Sequence, residues 1–310
     1  MATVLITGGT GLIGQHLTRQ LISKGYRVII LTRHLPEEKP FADVSYALWD
    51  VQKQTIDTQA IQQADYIIHL SGANVAEKRW TKKRKQEIVD SRTNSSALVI
   101  KGLRETNNKV RAVISSSAIG WYGDDPRIPN PHPFTETDPA DKGFLGHTCK
   151  LWEESILPVT GLDKRLVILR TGIVLDNAGG ALAAFKKPVY VGLAGILGNG
   201  KQMVSWIHID DICAMYITAI ENESLHGPYN AVAPKPVSNK ELTLQLAKSM
   251  KGKFYVSAHV PEFILKTVLG EMSTEVLKSA TVSCEKIRKA GYNFKFPAIE
   301  GAMEDLIGRK

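Results

Sequence analysis

Apolar positions in the first half of the chain fall into short, nearly continuous runs, separated by stretches with helical spacing. Val4 to Thr7, Tyr26 to Thr32, Ser45 to Trp49, Tyr66 to Leu70, Val110 to Ser115 and Arg165 to Leu169 read as buried strands. Leu12 to Ser23 carries Leu17 and Leu21 one turn apart and predicts a helix. Strands that are apolar on both faces and joined by helices imply a parallel sheet covered on both sides. With right-handed crossovers, the predicted fold class is a doubly wound α/β sheet. After about Gly172 the pattern changes. Glycines crowd Asn177 to Gly200, and helices are predicted near Asp211–Asn222 and Asn239–Met250, followed by a mixed helical terminus from Val260.

Composition narrows this picture slightly. The chain has 310 residues and is 43% hydrophobic, enough for one large core or two modest ones. Three cysteines (Cys149, Cys213, Cys284), without CxxC spacing, argue for a reducing compartment and against a structural zinc site. No metal ligand set is expected. The N-terminus lacks a basic leader and no apolar run is long enough to span a bilayer, so a cytoplasmic protein without a membrane partner is expected. The balance of 39 Lys+Arg against 31 Asp+Glu, a net +8, favours anionic partners.

The strongest chemical signal is TGGTGLIG, between the first strand and the first helix. Gly8, Gly11 and Gly14 follow G-x-x-G-x-x-G spacing, with Thr10, Leu12 and Ile13 between them. Glycines there let the backbone turn sharply and let a pyrophosphate approach the free N–H groups of the helix. This is the phosphate loop of a Rossmann domain, predicted over residues 1–175, with 201–225 returning to it. Residues 176–310 are predicted to be a smaller, substrate-side α/β lobe with a helical end. The second strand ends at Thr32-Arg33-His34, where NAD-binding proteins usually carry an acidic residue. An arginine suits a 2′-phosphate through its planar fork, so NADP(H) is expected over NAD. Asp50 stands at the usual adenine contact, and Leu70, Ser71 and Gly72 would run beneath the adenosine ribose.

TGGTGLIG, HLSGA (69–73), SSSAIGWYG (115–123) and WIHIDD (206–211) together resemble the extended branch of the short-chain dehydrogenase/reductase superfamily. The chain is closer to an atypical subgroup labelled epimerase family proteins. That likeness is carried by GANVAEKRWTKKRKQEIVDSR (72–92), FLGHTCKLWE (144–153), LRTGIVLDNAGGAL (169–182), SWIHIDD (205–211) and LGEMSTEVL (269–277). The resemblance implies NADP(H) binding and an oxidoreductase or epimerase reaction on a small substrate, nucleotide-linked substrates included.

Superfamily enzymes use a serine, a tyrosine and a lysine, the last two in Y-x-x-x-K, to move a proton and hold the nicotinamide ribose. By resemblance, Ser117 matches the serine and Lys150 the lysine. Gly146 stands at the tyrosine position, where it opens room for a bulkier ligand group. Substitutes for the missing acid are His147, Tyr122, a water or the substrate itself. A non-catalytic NADPH-binding regulator is therefore an alternative. Glu87 and Arg92 match positions turned toward the cofactor, with Glu87 on a ribose or holding Arg92. Thr171 and Ile173 match backbone contacts to the nicotinamide carboxamide.

KRWTKKRK (78–85) is either a solvated helix start or a funnel for a phosphorylated ligand. Nucleic-acid binding is disfavoured, because Trp80 is the only interleaved aromatic. Asp210 or Asp211 is expected to cap a helix, and His208 to be structural. The expected partners are a small-molecule substrate and, at most, a second copy of the chain.

Overall fold

The computed structural model describes residues 1–37 and 44–308. Eight strands among the described residues form one sheet. They are β1 (Thr3–Thr7), β2 (Arg27–Thr32), β3 (Val44–Asp50), β4 (Thr55–Ile56), β5 (Tyr66–His69), β6 (Ala112–Ala118), β7 (Arg165–Thr171) and, much later in the chain, Gly227–Ala231. Every pairing in it is parallel except the short β3–β4 turn-back. In spatial order β1 lies between β2 and β5. The direction of winding reverses there, which leaves a crevice at the C-terminal strand ends.

Successive residues of each central strand enter different cores, as a pleated strand covered on both faces requires. Val4, Ile6, Ile68 and Ile114 pack into one cluster. Leu5, Ile67 and Val113 pack into the other. The covering helices before β7 are α1 (Leu12–Ser23), α2 (Thr58–Gln63), α3 (Lys82–Glu105) and α4 (Phe144–Ile156). Leu17 and Leu21 of α1 are fully buried, each contributing roughly 1.5–3 kcal/mol.

Beyond β7 the chain alternates between the sheet and a smaller lobe. It forms β8 (Ile173–Asp176), α5 (Gly180–Tyr190), β9 (Leu193–Leu197), β10 (Met203–Val204), β11 (Trp206–His208) and α6 (Ile209–Glu221). Next come β12, the eighth strand named above, and β13 (Val237–Ser238), α7 (Asn239–Lys251) and β14 (Val256–Val260). Three two-stranded sheets, β8–β11, β9–β14 and β10–β13, build the lobe. Helix α6 packs against α1, and β12 extends the main sheet beside β7. The return to the sheet therefore continues to Ala231, past the 201–225 segment.

Four helices close the chain: α8 (Glu262–Leu269), α9 (Ser273–Leu277), α10 (Glu285–Lys289) and α11 (Ile299–Gly308). The Asp125 carboxylate secures this end, accepting from the hydroxyls of Ser279 and Thr281, both at 2.7 Å. No helix among the described residues is long and apolar enough to cross a membrane.

Candidate functional site

The glycine loop has the backbone shape that its spacing predicts. Gly8 sits at φ +71°, and a Cβ there would lie 3.0 Å from the Leu70 carbonyl carbon. The turn that follows β5 therefore passes directly against the loop. A Cβ on Gly14 would fall 2.4 Å from the Gly8 carbonyl oxygen, so α1 docks on the loop only with glycine at that position. Gly11 caps α1 without any side-chain hydrogen bond. The first N–H groups of the helix, at Leu12 and Ile13, have no acceptor within it. Thr10 and Gly11 are exposed. An open, glycine-lined turn with free amides at a helix start fits a dinucleotide pyrophosphate.

Arg33 is exposed just past β2, and among the described residues no carboxylate pairs with it. The Thr32 hydroxyl donates to the His34 carbonyl at 2.8 Å, closing the turn that carries Arg33. The Asp50 carboxylate is engaged in its own turn, accepting from Gln52 N at 2.9 Å and Lys53 N at 3.0 Å. Beneath the crevice, Thr7 Oγ1 bonds His69 Nδ1 at 2.8 Å and accepts from Leu70 N and Ser71 N. That hydroxyl fixes the path of the Leu70–Gly72 turn. Thr171 is buried and Ile173 exposed, its backbone held by its N–H to the Ser205 carbonyl at 3.0 Å.

The proton-transfer group is arranged differently from expectation. Ser117 is buried, and its hydroxyl donates to Glu153 Oε1 at 2.7 Å. Glu153 in turn holds Arg170 at two points. Ser117 is thus a donor inside a closed ion-pair network. Lys150 makes no hydrogen bond among the described residues. It is 55% exposed, and its nearest carboxylate is Glu154, one turn on, at 3.8 Å. Both line an open cleft of about 510 Å³ whose other walls run from Trp121, in the turn after β6, to Lys164 and His226, near the starts of β7 and β12. His147 is exposed as well. Tyr122 is fully buried, its hydroxyl 2.6 Å from Asn230 Oδ1 and accepting from Arg170. Burial pushes that phenol up to about 12, so it is a strut rather than an acid.

The register of α4 explains the difference. A Cβ on Gly120, in the turn after β6, would meet Leu145 Cβ at 3.2 Å and Cys149 Sγ at 3.6 Å. The pair one turn apart that faces the serine turn is therefore Leu145 and Cys149. The Gly146–Lys150 pair is one residue later, about 100° round the helix. Gly146 opens no room for a ligand: a Cβ there would lie 2.3 Å from the Asp141 carbonyl oxygen. Burial pushes the Cys149 thiol up to about 12, so it remains an uncharged wall. Reading Leu145, Cys149, Trp152 and Ile156 as one apolar stripe would have found this face in the sequence.

Half of the basic residues in the run are engaged internally. Trp80 is buried, and its ring meets Phe144 edge-on at 5.0 Å. Arg84 pairs with Glu87 at 2.8 Å and Glu77 at 3.0 Å. Glu87 therefore holds Arg84, not Arg92. Arg79 donates to the Thr267 carbonyl, and Lys85 pairs with Glu271. Two residues of the run thus clasp the C-terminal segment, while Lys82 and Lys83 are exposed. Likewise α6 is capped by the His208 side chain, which accepts from Asp210 N. Asp211 instead accepts from Lys295 N at 2.8 Å and Phe296 N at 2.9 Å.

A doubly wound sheet with a glycine loop at its reversal point, capped by a smaller lobe, defines a protein of Rossmann type with the epimerase fold. Residues 4–163 match the model of the NAD dependent epimerase/dehydratase family, and residues 260–306 match a domain of unknown function, DUF1731. The chain belongs to that epimerase/dehydratase family, in the group of epimerase family proteins that carry this C-terminal domain. It is 33% identical over 305 residues to epimerase family protein YfhF of Bacillus subtilis (strain 168), covering 98% of this chain and 97% of that one. It is 35% identical over 309 residues to an epimerase family protein of Staphylococcus aureus (strain NCTC 8325 / PS 47), covering 99% of each. Among solved structures it is similar to human epimerase family protein SDR39U1 (isoform 2) with NADPH. The TM-score is 0.86 at 25% identity, covering 99% of this chain and all of that one.

Proposed function

We propose that the protein binds NADP(H) in the crevice between β1 and β5, and that it acts as an oxidoreductase or epimerase-like protein on a small, nucleotide-linked substrate. The observation that carries the cofactor reading is the open glycine turn leading into α1, with Arg33 free of any described carboxylate at the neighbouring strand end. Gly8 to Gly14 would take the pyrophosphate and Arg33 the 2′-phosphate. Leu70 to Gly72 would underlie a ribose. A relative of the same length and fold has been crystallised with NADPH, which supports this choice. When bound, the nicotinamide supplies hydride chemistry; the chain supplies position and a shielded crevice.

A specific observation favours a second reading. The face of α4 that meets the serine turn carries Leu145 and Cys149, and Ser117 is tied to Glu153. None of these groups moves a proton near neutral pH. A non-catalytic NADPH-binding regulator needs none to do so.

Calorimetry with NADPH and NADH tests the cofactor. Arg33→Asp is expected to weaken NADPH by tenfold or more, roughly, and NADH far less. Equal losses would remove the assignment. Transfer of label from 4-labelled NADPH to any member of a metabolite panel including nucleotide sugars supports turnover. Redox-dependent affinity without transfer supports the regulator.

A further inference from the structure

Strand β14 is open to solvent along nearly its whole length. Val256, Ser257, Ala258 and His259 are all exposed, Val256 by 70%, and Phe254 just before the strand is 87% exposed. β14 pairs with β9 on one side and has no strand on the other. Val256 N donates to the Gly192 carbonyl and Gly198 N to the Val260 carbonyl, both at 2.9 Å. In this parallel ladder Val256, Ala258 and Val260 turn their backbone groups toward β9, and Ser257 and His259 turn theirs away. Among the described residues nothing bonds to those outward N–H and C=O groups.

The two faces of the β9–β14 sheet differ. Ala194 and Ile196 of β9 are buried, and β9 packs against α5 and α7. The other face carries Leu193, Gly195 and Leu197 of β9 beside Val256, Ala258 and Val260 of β14. Every one of these is apolar or glycine. Native edge strands are guarded by charges, a proline or a bulge, because a bare edge templates another strand. Residues 254–260 (FYVSAHV) carry no lysine, arginine, carboxylate or proline, and the pairing with β9 has no bulge.

The charges at the two ends of this segment say which strand fits. Lys253 stands just before it and Glu262 just after it. Among the described residues no carboxylate pairs with Lys253, and Glu262 is met by Lys266 at a loose 3.8 Å. Two copies of one strand related by a two-fold axis run antiparallel, which brings each Lys253 to the partner's Glu262. We propose that β14 pairs with β14 of a second copy of this chain, Ser257 of each exchanging backbone hydrogen bonds with the partner's His259. Ala258 then lies on the axis, at a non-hydrogen-bonded position where facing Cα atoms approach to about 4.5 Å. Its small side chain suits that approach. Val256 faces the partner's Val260, and the two lobes share one four-stranded sheet in which β14 is no longer an edge.

Sedimentation velocity of the full chain over a concentration series tests this, with a dimer expected for the wild type. Ser257→Pro deletes the outward N–H and leaves the ladder to β9 intact, a place where an edge strand tolerates proline. It is expected to raise the dimer dissociation constant by about tenfold or more at an unchanged melting temperature. Lys253→Glu should also weaken the dimer, and adding Glu262→Lys to that variant should restore it. Ala258→Cys provides a readout that does not depend on the proline variant folding. Two cysteines facing each other on the axis are within disulfide reach, and the three native cysteines are buried, so oxidation should give a covalent dimer. A wild-type chain that stays monomeric leaves the edge to some other strand and overturns the proposal. A dimer that Ser257→Pro leaves intact, a charge reversal that Glu262→Lys does not rescue, or an Ala258→Cys chain that fails to cross-link would each overturn it too.

Discussion

Glu153 and Arg170 are joined at two points beneath the serine turn, Oε1 to Nε at 2.8 Å and Oε2 to Nη2 at 2.9 Å. Arg170 also lies 3.7 Å from the Trp121 ring centre, and Glu153 accepts the Ser117 hydroxyl. The pair pins α4 to β6 and β7. Removing one partner leaves a buried charge unanswered, which costs roughly 3–5 kcal/mol. Arg170→Met is therefore expected to lower the urea unfolding free energy by about that amount. Ser117→Ala removes only one donor and should cost about 1–3 kcal/mol. If Ser117→Ala abolished a measured turnover while keeping full stability, the structural assignment of that hydroxyl would be wrong.

Lys150 offers a sharper contrast. Its ammonium is exposed and its pairing to Glu154 is loose, so Lys150→Ala should change stability by no more than about 0.5 kcal/mol. NADPH affinity should stay within about twofold, less than the loss of any direct charged contact would give. Gly146→Ala should behave in the opposite way. The new methyl meets the Asp141 backbone, and overpacking of this kind costs about 1–3 kcal/mol. A fall in melting temperature for Gly146→Ala beside an unchanged Lys150→Ala is the expected result.

Those two positions also show where the sequence stopped being informative. The strands, α1 and the glycine loop were legible because their signals are local: apolar runs, a period of 3.6, glycines between strand and helix. The rotation of α4, the helix that carries Lys150, was not legible. Motif spacing aligns Lys150 with a family lysine, whereas packing sets which residue faces the crevice, and a shift of one residue turns the helix by about 100°. The partners of the basic run were hidden for another reason. Arg79 and Lys85 meet Thr267 and Glu271 across more than 180 residues of sequence, and no local pattern encodes such a contact.

That clasp makes its own prediction. Arg79 and Lys85 pair at the surface with α8 and the turn after it, where single pairs contribute about 0–1 kcal/mol and weaken in salt. The double variant Arg79→Ala/Lys85→Ala should change global stability by only about 1 kcal/mol. It should nonetheless open residues 262–277 locally, read as faster amide hydrogen exchange there and not in β1 or β5. Uniform acceleration across the sheet would show instead that the C-terminal segment folds as one unit with the core.

His69 gives the stability a pH dependence of known sign. Both Ser95 and Ser96 donate to the Arg92 carbonyl, so their hydroxyl oxygens are left to accept from His69 Nε2 at 3.3 Å. The network assigns the proton to Nε2 and leaves Nδ1 to accept from Thr7. A second proton would have no acceptor, and complete burial lowers the imidazole from 6.5 to about 4. The folded state therefore refuses a proton that the unfolded chain takes up near pH 6.5. Stability is undiminished above that pH and falls as pH drops toward 4, by about 3 kcal/mol in all. His69→Gln cannot titrate there. The stability advantage of wild type over this variant should shrink steadily between pH 6.5 and 4 in urea titrations. A constant gap over that range would mean that the folded protein takes up the proton as readily as the unfolded chain, and the assignment of His69 as a buried neutral imidazole would be wrong.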